Sequence, residues 1–267
     1  MPYKLIALDM DDTVLGSDKN ISPRTMSAIK QAIAQGHIVA IATGRPIVAL
    51  DRYTDLLELV DTPIITYNGA KVVHTRDHRV LYQENLDKQT ALEVFTRGKA
   101  YGVAQFVWSN DRLYQFEENE QTERYTSRAH VKPILSADIG PLAEEGITKI
   151  LWVDSAPAIE EYQQALAGTL TGDVTFCTSS PLFLEFFSSK VSKGLTLKFL
   201  GEYHGIAQSE IIAVGDQDND IPMLQYAGLG VAMGNALEEV KAVADFVTLT
   251  NDEDGVAHVI EKFMLTP

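Results

Sequence analysis

Short apolar runs alternate with helical patterns near both ends of the chain. Four largely apolar runs end in polar or glycine-containing turns, at residues 5–8, 38–42, 63–66 and 211–214. Runs of this kind predict strands that are buried on both faces of a parallel sheet. Between the first two runs, Ser22 suits an N-cap, Pro23 a first helical turn and Gly36 a C-terminal cap. The alternation predicts an α/β core with a doubly wound, mainly parallel, Rossmann-like sheet.

The middle of the chain follows a different pattern. Helical stretches at 88–101 and 157–167 interleave there with β-like segments at 104–108, 148–153, 174–178 and 182–186. Both tryptophans, Trp108 and Trp152, fall in this region. We therefore predict an inserted α+β domain over residues 83–187, within a core formed by residues 1–82 and 188–267.

Composition and charge narrow the possible partners. The 267 residues include 22 Lys and Arg against 37 Asp and Glu, a net charge of −15. This balance argues against nucleic acid or an anionic membrane as the main partner. Small anionic substrates stay possible, because a few cations and a metal ion can reverse the local sign. The single cysteine, Cys177, excludes an intrachain disulfide. With no signal peptide and no apolar run of membrane-spanning length, we expect a cytoplasmic protein, as monomer or homodimer.

Carboxylates crowd the end of the first predicted strand, in the segment Asp9-Met10-Asp11-Asp12-Thr13. Like charges ~4 Å apart repel by ~4 kcal/mol at an effective dielectric constant of ~20. A fold tolerates such a cluster where it protonates a group, binds a cation or performs chemistry. The alternative is an Asp-rich turn with no further role.

Two segments with cationic residues are predicted at the same sheet edge, where ligands of open α/β sheets bind. Thr43, Gly44 and Arg45 follow the second strand and precede a helix that we expect Pro46 to start. That arrangement suits anion binding at a helix N-terminus, or simple capping by Thr43. Lys193 opens a helix predicted over 195–204, where its charge opposes the macrodipole unless an anion lies nearby. A solvated lysine is the alternative.

A second acidic cluster, Gly215-Asp216-Gln217-Asp218-Asn219-Asp220, follows the fourth strand. The alternative is an N-cap with acidic residues in the first turn. Two acidic clusters on neighbouring strands would repel each other, however, and hard oxygen ligands near a phosphate suit Mg²⁺. Zinc is not expected, because no set of His and Cys residues accompanies the carboxylates.

Taken in order, these segments resemble the motifs of the haloacid dehalogenase superfamily of phosphatases. The segments are Asp-x-Asp-x-Thr, Thr-Gly-Arg, Lys-Gly and Gly-Asp-x-x-Asn-Asp. The Thr-Gly-Arg form, the segment Tyr67-Asn68-Gly69-Ala70 and the large insert resemble the Cof-type subfamily, and within it the YidA-type sugar phosphatases. The resemblance extends from Lys4 to Phe263.

The resemblance implies a role for each matching residue. Asp9 matches the nucleophile and Asp11 the general acid/base. Mg²⁺ would be held by Asp9, the Asp11 main-chain carbonyl and Asp216. The implied phosphate contacts are the Met10 amide, Thr43, Gly44, Lys193 and Asn219. Arg45, Asn68 and Asp220 are expected in supporting or substrate-edge positions, and the insert matches a cap domain that covers the site and selects the substrate.

The resemblance implies a Mg²⁺-dependent phosphomonoester hydrolase that acts on small phosphorylated metabolites, sugar phosphates above all, through an aspartyl-phosphate. A phosphosugar mutase and a non-catalytic phosphosugar-binding protein are the alternatives. Two departures from the family pattern bear on activity. Asp12 stands where glycine is usual, which requires either a negative φ or a tolerated left-handed geometry. Ser192 replaces the usual Asn before Lys193.

Overall fold

The computed structural model describes residues 3–59, 62–77, 79–129 and 131–265. Two compact units are formed by these residues. The first comprises the chain up to Arg45, Leu50–Tyr82 and the chain from Ser192 onward. The second comprises Pro46–Ala49 and Gln83–Val191. The inserted domain predicted for the middle of the chain corresponds to most of this second unit.

Strands and helices alternate through the first unit and mix through the second. The strands of the described residues are β1 Leu5–Leu8, β2 Ile38–Ala42, β3 Pro63–Thr66, β4 Lys71–His74, β5 Val80–Gln83, β6 Ala104–Ser109, β7 Arg112–Gln115, β8 Ile134–Leu135, β9 Lys149–Val153, β10 Val174–Ser180, β11 Phe183–Ser188, β12 Ile211–Gly215, β13 Leu229–Ala232 and β14 Phe246–Val247. The helices are α1 Pro23–Ala34, α2 Asp51–Leu56, α3 Lys88–Tyr101, α4 Glu120–Ala129, α5 Gly140–Glu145, α6 Ala156–Leu166, α7 Lys193–His204, α8 Ile221–Tyr226, α9 Glu238–Val243 and α10 Gly255–Phe263. None of the helices in the described ranges has the length and apolar character needed to cross a membrane.

The core sheet has the strand order β14-β13-β12-β1-β2-β3-β4-β5. Its neighbours from β14 to β3 are parallel, and β4 joins β3 in antiparallel orientation. All four residues of β1 are fully buried, so both faces of the central strand are covered. The predicted doubly wound, mainly parallel sheet is confirmed. Three predicted strands have the observed bounds, and the fourth extends by one residue to Gly215.

Helix caps in the core follow from local sequence. The Ser22 hydroxyl accepts a hydrogen bond from the Thr25 N–H at 3.0 Å and starts α1. The chain leaves α1 through Gly36, whose φ of +86° is readily accessible to glycine. The Ser192 hydroxyl caps α7 in the same way, accepting from the Leu195 N–H at 3.1 Å. Helix α1 packs against α10, and α7 packs against α8.

The inserted domain contains a six-stranded sheet of order β10-β11-β9-β6-β7-β8. Its strand pairs are antiparallel except for β7 and β8. One hydrophobic cluster joins alternate strand residues such as Ile150, Trp152 and Phe186 to helix residues such as Phe95 and Ile159. An α+β domain is therefore confirmed. The sequence patterns did not predict the short β7 and α5.

The prediction that Pro46 starts a helix is wrong. Ile47–Ala49 form a single 3₁₀ turn, and α2 begins only at Asp51. The Thr43 carbonyl accepts a hydrogen bond from the Asn68 N–H at 3.1 Å, and the Arg45 carbonyl accepts one from the Tyr67 N–H at 3.2 Å. These carbonyls are engaged by a distant turn, which competes with the i→i+4 bonds of a helix at this point. The segment does not form a helical anion site.

Candidate active site

The candidate site lies where neighbouring parallel strands of the core sheet end. Strand β1 pairs with β12 on one side and with β2 on the other. The three strands deliver Asp9, Asp216 and Thr43 to the same edge. The Asp9 N–H donates to the Val214 carbonyl at 2.9 Å, which fixes the start of the acidic segment against β12.

The chain turns sharply after Asp9. Met10–Val14 form a π-type turn in which Asp11 is extended and Asp12 is left-handed, with φ of +58°. The Asp12 carboxylate accepts a hydrogen bond from Lys19 Nζ at 2.8 Å. The Thr13 hydroxyl donates to Asp216 Oδ1 at 2.9 Å and so links the two acidic segments. The aspartate that replaces the usual glycine is thus accommodated by a left-handed backbone, which Asp tolerates better than most residues.

Lys193 is buried between two carboxylates. Its Nζ atom lies 2.5 Å from Asp9 Oδ1 and 2.6 Å from Asp220 Oδ1. Asp220 Oδ2 accepts hydrogen bonds from the main-chain N–H groups of Asp216 at 2.9 Å and Gln217 at 3.0 Å. The solvated alternative for Lys193 is excluded, because the residue is 0% exposed. A lysine at a helix N-terminus is unfavourable unless an anion lies nearby. Asp9 and Asp220 are those anions for Lys193.

Charge in this cluster is unbalanced, with three carboxylates facing one ammonium group. Burial lowers the pKa of Lys193, but the charges of Asp220 and Asp9 outweigh it and the net shift is upward. Burial raises the pKa of Asp9 well above its usual value, and Asp220 and Asp216 add to that rise against the effect of Lys193. Burial, with Asp220, raises the pKa of Asp216 to about 6. A further cation would relieve this excess of negative charge.

The donor set fits a hard divalent cation. Carboxylate oxygens of Asp9, Asp216 and Asp220 lie within 4.8 Å of one another, and all three residues are buried. Oxygen ligands of this kind suit Mg²⁺. Both Asp220 oxygens accept hydrogen bonds, from Lys193 and from two main-chain N–H groups. Both Asp216 oxygens accept as well, from the Thr13 hydroxyl and the Gln217 side-chain amide, and Asp9 Oδ1 accepts from Lys193. Among the described residues, this cluster does not include the Asp11 carboxylate. The contribution predicted for Asp11 to the metal site is its main-chain carbonyl.

Asp11 forms a two-bonded ion pair with Arg45. Arg45 Nε donates to Asp11 Oδ2 at 2.8 Å, and Arg45 Nη2 donates to Asp11 Oδ1 at 2.7 Å. Burial raises the pKa of Asp11, but the hydrogen bonds and charge of Arg45 overcome it, and the net shift is downward. The Asp11 side chain is 42% exposed and that of Arg45 29% exposed. The pair was not predicted from the sequence, because it joins segments that follow different strands.

Thr43, Gly44, Asn68 and Asn219 form the uncharged side of the site. The buried Thr43 hydroxyl accepts from the Arg45 N–H at 3.1 Å. Asn219 Nδ2 donates to Asn68 Oδ1 at 3.0 Å. A Cβ on Gly44 would lie 2.7 Å from Asn68 Oδ1, so the Asn68 side chain would have to move if residue 44 carried a side chain. These contacts bring together the second and fourth segments and the Tyr67–Ala70 segment.

The structure thus places the predicted charged residues in two groups. Thr43, Gly44, Asn68 and Asn219 form the uncharged side of the site beside them. Asp9, Asp216, Asp220 and Lys193 are in direct contact or within one cluster, whereas Asp11 pairs with Arg45. Met10 is buried beside them. Thr13 was not assigned a role from the sequence, although it ends the first motif. Its bond to Asp216 depends on the pairing of β1 with β12, which no local pattern reveals.

Comparison with known proteins agrees with this geometry. The model of the haloacid dehalogenase-like hydrolase family matches residues 6–260. The chain belongs to this family. It is accordingly an enzyme, a phosphatase of the haloacid dehalogenase-like hydrolases.

Relatives and solved structures match over nearly the whole chain. The 5-amino-6-(5-phospho-D-ribitylamino)uracil phosphatase YitU of Bacillus subtilis is 32% identical, over 98% of this chain and 97% of its own. A haloacid dehalogenase-like hydrolase from Bacteroides thetaiotaomicron has a TM-score of 0.88 at 30% identity, covering 97% of this chain and 99% of that one. The subclass IIB sugar phosphatase BT4131 has a TM-score of 0.84 at 26% identity, covering 97% of this chain and 98% of that one.

Proposed function

We propose that the protein is a Mg²⁺-dependent phosphomonoester hydrolase that acts on small phosphorylated metabolites, sugar phosphates above all, through an aspartyl-phosphate. The observation that carries this proposal is the buried Asp9–Lys193 contact at the end of β1, beside Asp216. It combines a carboxylate nucleophile with a fixed cation at the place where phosphoryl charge would develop. The single cysteine fits action in the cytoplasm.

Two residues carry the proposed bond changes. A carboxylate oxygen of Asp9 attacks phosphorus as the bond to the leaving oxygen breaks, and protonated Asp11 gives that oxygen its proton. A water molecule then attacks the aspartyl-phosphate and transfers a proton to Asp11, which releases inorganic phosphate and regenerates Asp9. Asp11 begins as an ionised partner of Arg45, so entry into this cycle requires that pair to loosen and Asp11 to take up a proton from solvent.

The remaining residues bind and orient the phosphoryl group. Lys193 holds Asp9 and offsets charge on the phosphoryl oxygens, while Thr43, Gly44, Asn219 and the Met10 amide supply the further phosphate contacts. Asp9 and Asp216, with the Asp11 carbonyl, would hold Mg²⁺. When bound, the ion screens the anionic nucleophile from the anionic phosphate. We propose that the inserted domain selects the organic part of the substrate.

The substrate preference rests on two similarities. One structural relative is named a sugar phosphatase, and one curated relative is named a phosphatase of a phosphorylated ribitylamino compound. Both names include a phosphate ester of a hydroxylated carbon chain. We therefore expect such esters to be hydrolysed faster than nucleotides or pyridoxal phosphate.

Phosphate release from a panel of sugar, nucleotide and cofactor monophosphates, with and without Mg²⁺, tests this function. We expect hydrolysis that requires Mg²⁺ and is lost in Asp9→Asn, which keeps the side-chain shape but is a far weaker nucleophile. Unchanged activity in that variant would exclude Asp9 as nucleophile. An isomerised sugar phosphate in place of free phosphate would indicate a mutase, and a nucleotide or pyridoxal phosphate as the best substrate would overturn the sugar preference.

A further inference from the structure

One turn beside the site holds three consecutive residues in the left-handed region. Tyr67, Asn68 and Gly69 have φ of +52°, +59° and +103°. A left-handed conformation costs most residues with a side chain, such as Tyr67, about 1–2 kcal/mol, and costs asparagine less. Tyr67 is 0% exposed and Asn68 4% exposed, so the strain lies inside the core unit. Such strain persists only where surrounding contacts impose it, and these contacts are specific.

The turn binds the Thr43–Arg45 segment from one side. The Asn68 N–H donates to the Thr43 carbonyl at 3.1 Å, and the Tyr67 N–H donates to the Arg45 carbonyl at 3.2 Å. Gly44 lies between these two anchored carbonyls. Its missing side chain leaves the space into which Asn68 Oδ1 projects, 2.7 Å from where a Cβ would be.

The same turn contacts the segments that carry Lys193 and Asn219. The Thr196 hydroxyl of α7 donates to the Gly69 carbonyl at 2.8 Å. A Cβ on Gly69 would lie 2.5 Å from the Ser192 carbonyl oxygen, so the turn approaches the start of α7 closely. Asn219 Nδ2 donates to Asn68 Oδ1 at 3.0 Å, and within the described part of the chain the buried Asn219 Oδ1 has no hydrogen-bond partner.

We propose that the turn Tyr67–Gly69 sets the relative positions of three phosphate-binding segments, and that Asn68 is its positioning residue. The Asn68 main chain anchors Thr43, while its side chain fills the space over Gly44 and orients the Asn219 amide. Asn68 acts through these neighbours on the bound phosphoryl group. This role rests on the proposed phosphatase function and adds a residue that acts on binding of the phosphoryl group rather than on the chemical step.

Asn68→Gly separates the side chain from the backbone, because glycine keeps the left-handed conformation and loses only the bridge. We expect the KM for a small phosphomonoester, and the inhibition constant of inorganic phosphate, each to rise about tenfold, the loss of one well-placed hydrogen bond. The thermal midpoint and kcat should change much less. Asn110→Gly is the matched control, since Asn110 is an exposed asparagine with φ of +50° in the inserted domain. A phosphate inhibition constant within twofold of wild type in Asn68→Gly would overturn the proposal.

A double-mutant cycle with Gly44→Ala gives a second, independent readout. The added methyl group should collide with Asn68 Oδ1 and weaken phosphate inhibition about tenfold in the wild-type background. In the Asn68→Gly background the collision is gone, and the same substitution should change the constant less than twofold. Additive effects would contradict a role through Gly44.

If Asn68→Gly does not fold, Thr196→Val tests the same turn by removing its bond to Gly69, and an unchanged phosphate inhibition constant there would overturn the proposal. If wild type has no Mg²⁺-dependent phosphatase activity, the proposed function fails first. Activity in wild type with no effect of Asn68→Gly would contradict the role of the turn alone.

Discussion

The candidate site contains two groups of charged residues that differ in burial and in charge balance. The buried cluster consists of Asp9, Asp216, Asp220 and Lys193, and the outer group consists of Asp11, Asp12, Lys19 and Arg45. The buried cluster has three carboxylates for one cation, and the side chains of Lys193 and Asp220 are 0% exposed. The outer group pairs two carboxylates with two cations, and its side chains are 29% to 52% exposed.

The two groups obey different energetics although they contain the same residue types. Removing one partner from a buried ion pair leaves an uncompensated charge in a poorly solvated place. An exposed pair contributes little, because water screens both charges. The buried cluster therefore holds fixed positions and would be stabilised by an additional cation, whereas the outer group has contacts that a substrate can replace at small cost. This division suits a nucleophile that must not move and an acid/base that must change partners.

The largest expected effect is that of Lys193→Met, which keeps the aliphatic stem and removes the ammonium group. We expect the free energy of unfolding to fall by about 3–5 kcal/mol, because Asp9 and Asp220 are left facing each other without a cation. Phosphatase activity should fall by about 10²–10³-fold or more. Denaturant unfolding and phosphate release measure the two effects.

Lys30→Met is the control, since Lys30 forms an exposed ion pair with Glu58 at 2.6 Å. It should lose less than about 1 kcal/mol. A Lys193→Met protein as stable and as active as this control would contradict the distinction between the two groups.

The effect of Mg²⁺ on stability should depend on pH in a direction set by Asp216. Its pKa of about 6 lies above the unfolded value near 3.8, so the folded protein binds the proton more tightly and loses stability as pH rises between these values. Mg²⁺ displaces that proton, and its stabilising effect should grow as pH rises through about 6. We expect saturating Mg²⁺ to raise the thermal midpoint by several degrees at pH 7.5, and by clearly less at pH 5.

Asp216→Asn supplies the control for this titration. The variant lacks both the raised pKa and a carboxylate ligand, so its thermal midpoint should respond weakly to Mg²⁺ at either pH. An equal Mg²⁺ response of wild type at pH 5 and pH 7.5 would show that the buried cluster does not bind the ion by releasing a proton.

Arg45→Met tests the outer group. Arg45 holds the pKa of Asp11 down, and burial opposes it, so removal of the guanidinium should raise that pKa. A general acid with a higher pKa stays protonated to higher pH, and the alkaline limb of the rate profile should therefore move to higher pH. We expect kcat/KM at pH 7 to change less than about tenfold, well below the effect of Lys193→Met. An unmoved alkaline limb would argue against Asp11 as the acid.

The buried cluster could be predicted from the sequence to a larger extent than the outer group. Apolar runs mark the strand ends, and Asp9 and Asp216 directly follow strands β1 and β12, so the parallel pairing of these strands brings the two residues together. Lys193 is marked instead by its place at the start of the predicted helix, where its charge calls for a nearby anion. The Asp11–Arg45 pair, the Thr13–Asp216 bond and the contacts of Tyr67 depend on how separate segments meet. The expected helix at Pro46 failed for the same reason, because a distant turn engages the carbonyls of the preceding segment.

The smallest expected effect concerns Asp12, the departure from the usual glycine. Its left-handed φ of +58° strains the backbone, while its bond to Lys19 Nζ at 2.8 Å is half-exposed and weakly stabilising. Asp12→Gly should therefore change the free energy of unfolding by less than about 1 kcal/mol, because relief of strain offsets the lost pair and the greater freedom of the unfolded chain. Asp12→Ala loses the pair and keeps the strain, so it should be less stable than Asp12→Gly by about 1 kcal/mol.

Both variants should retain phosphatase activity within a few-fold, since Asp12 belongs to the outer group and takes part in neither the proton transfer nor the attack. Equal stability of the glycine and alanine variants in denaturant unfolding would show that this position is not strained, and a large loss of activity in either would place Asp12 with the residues that the reaction requires.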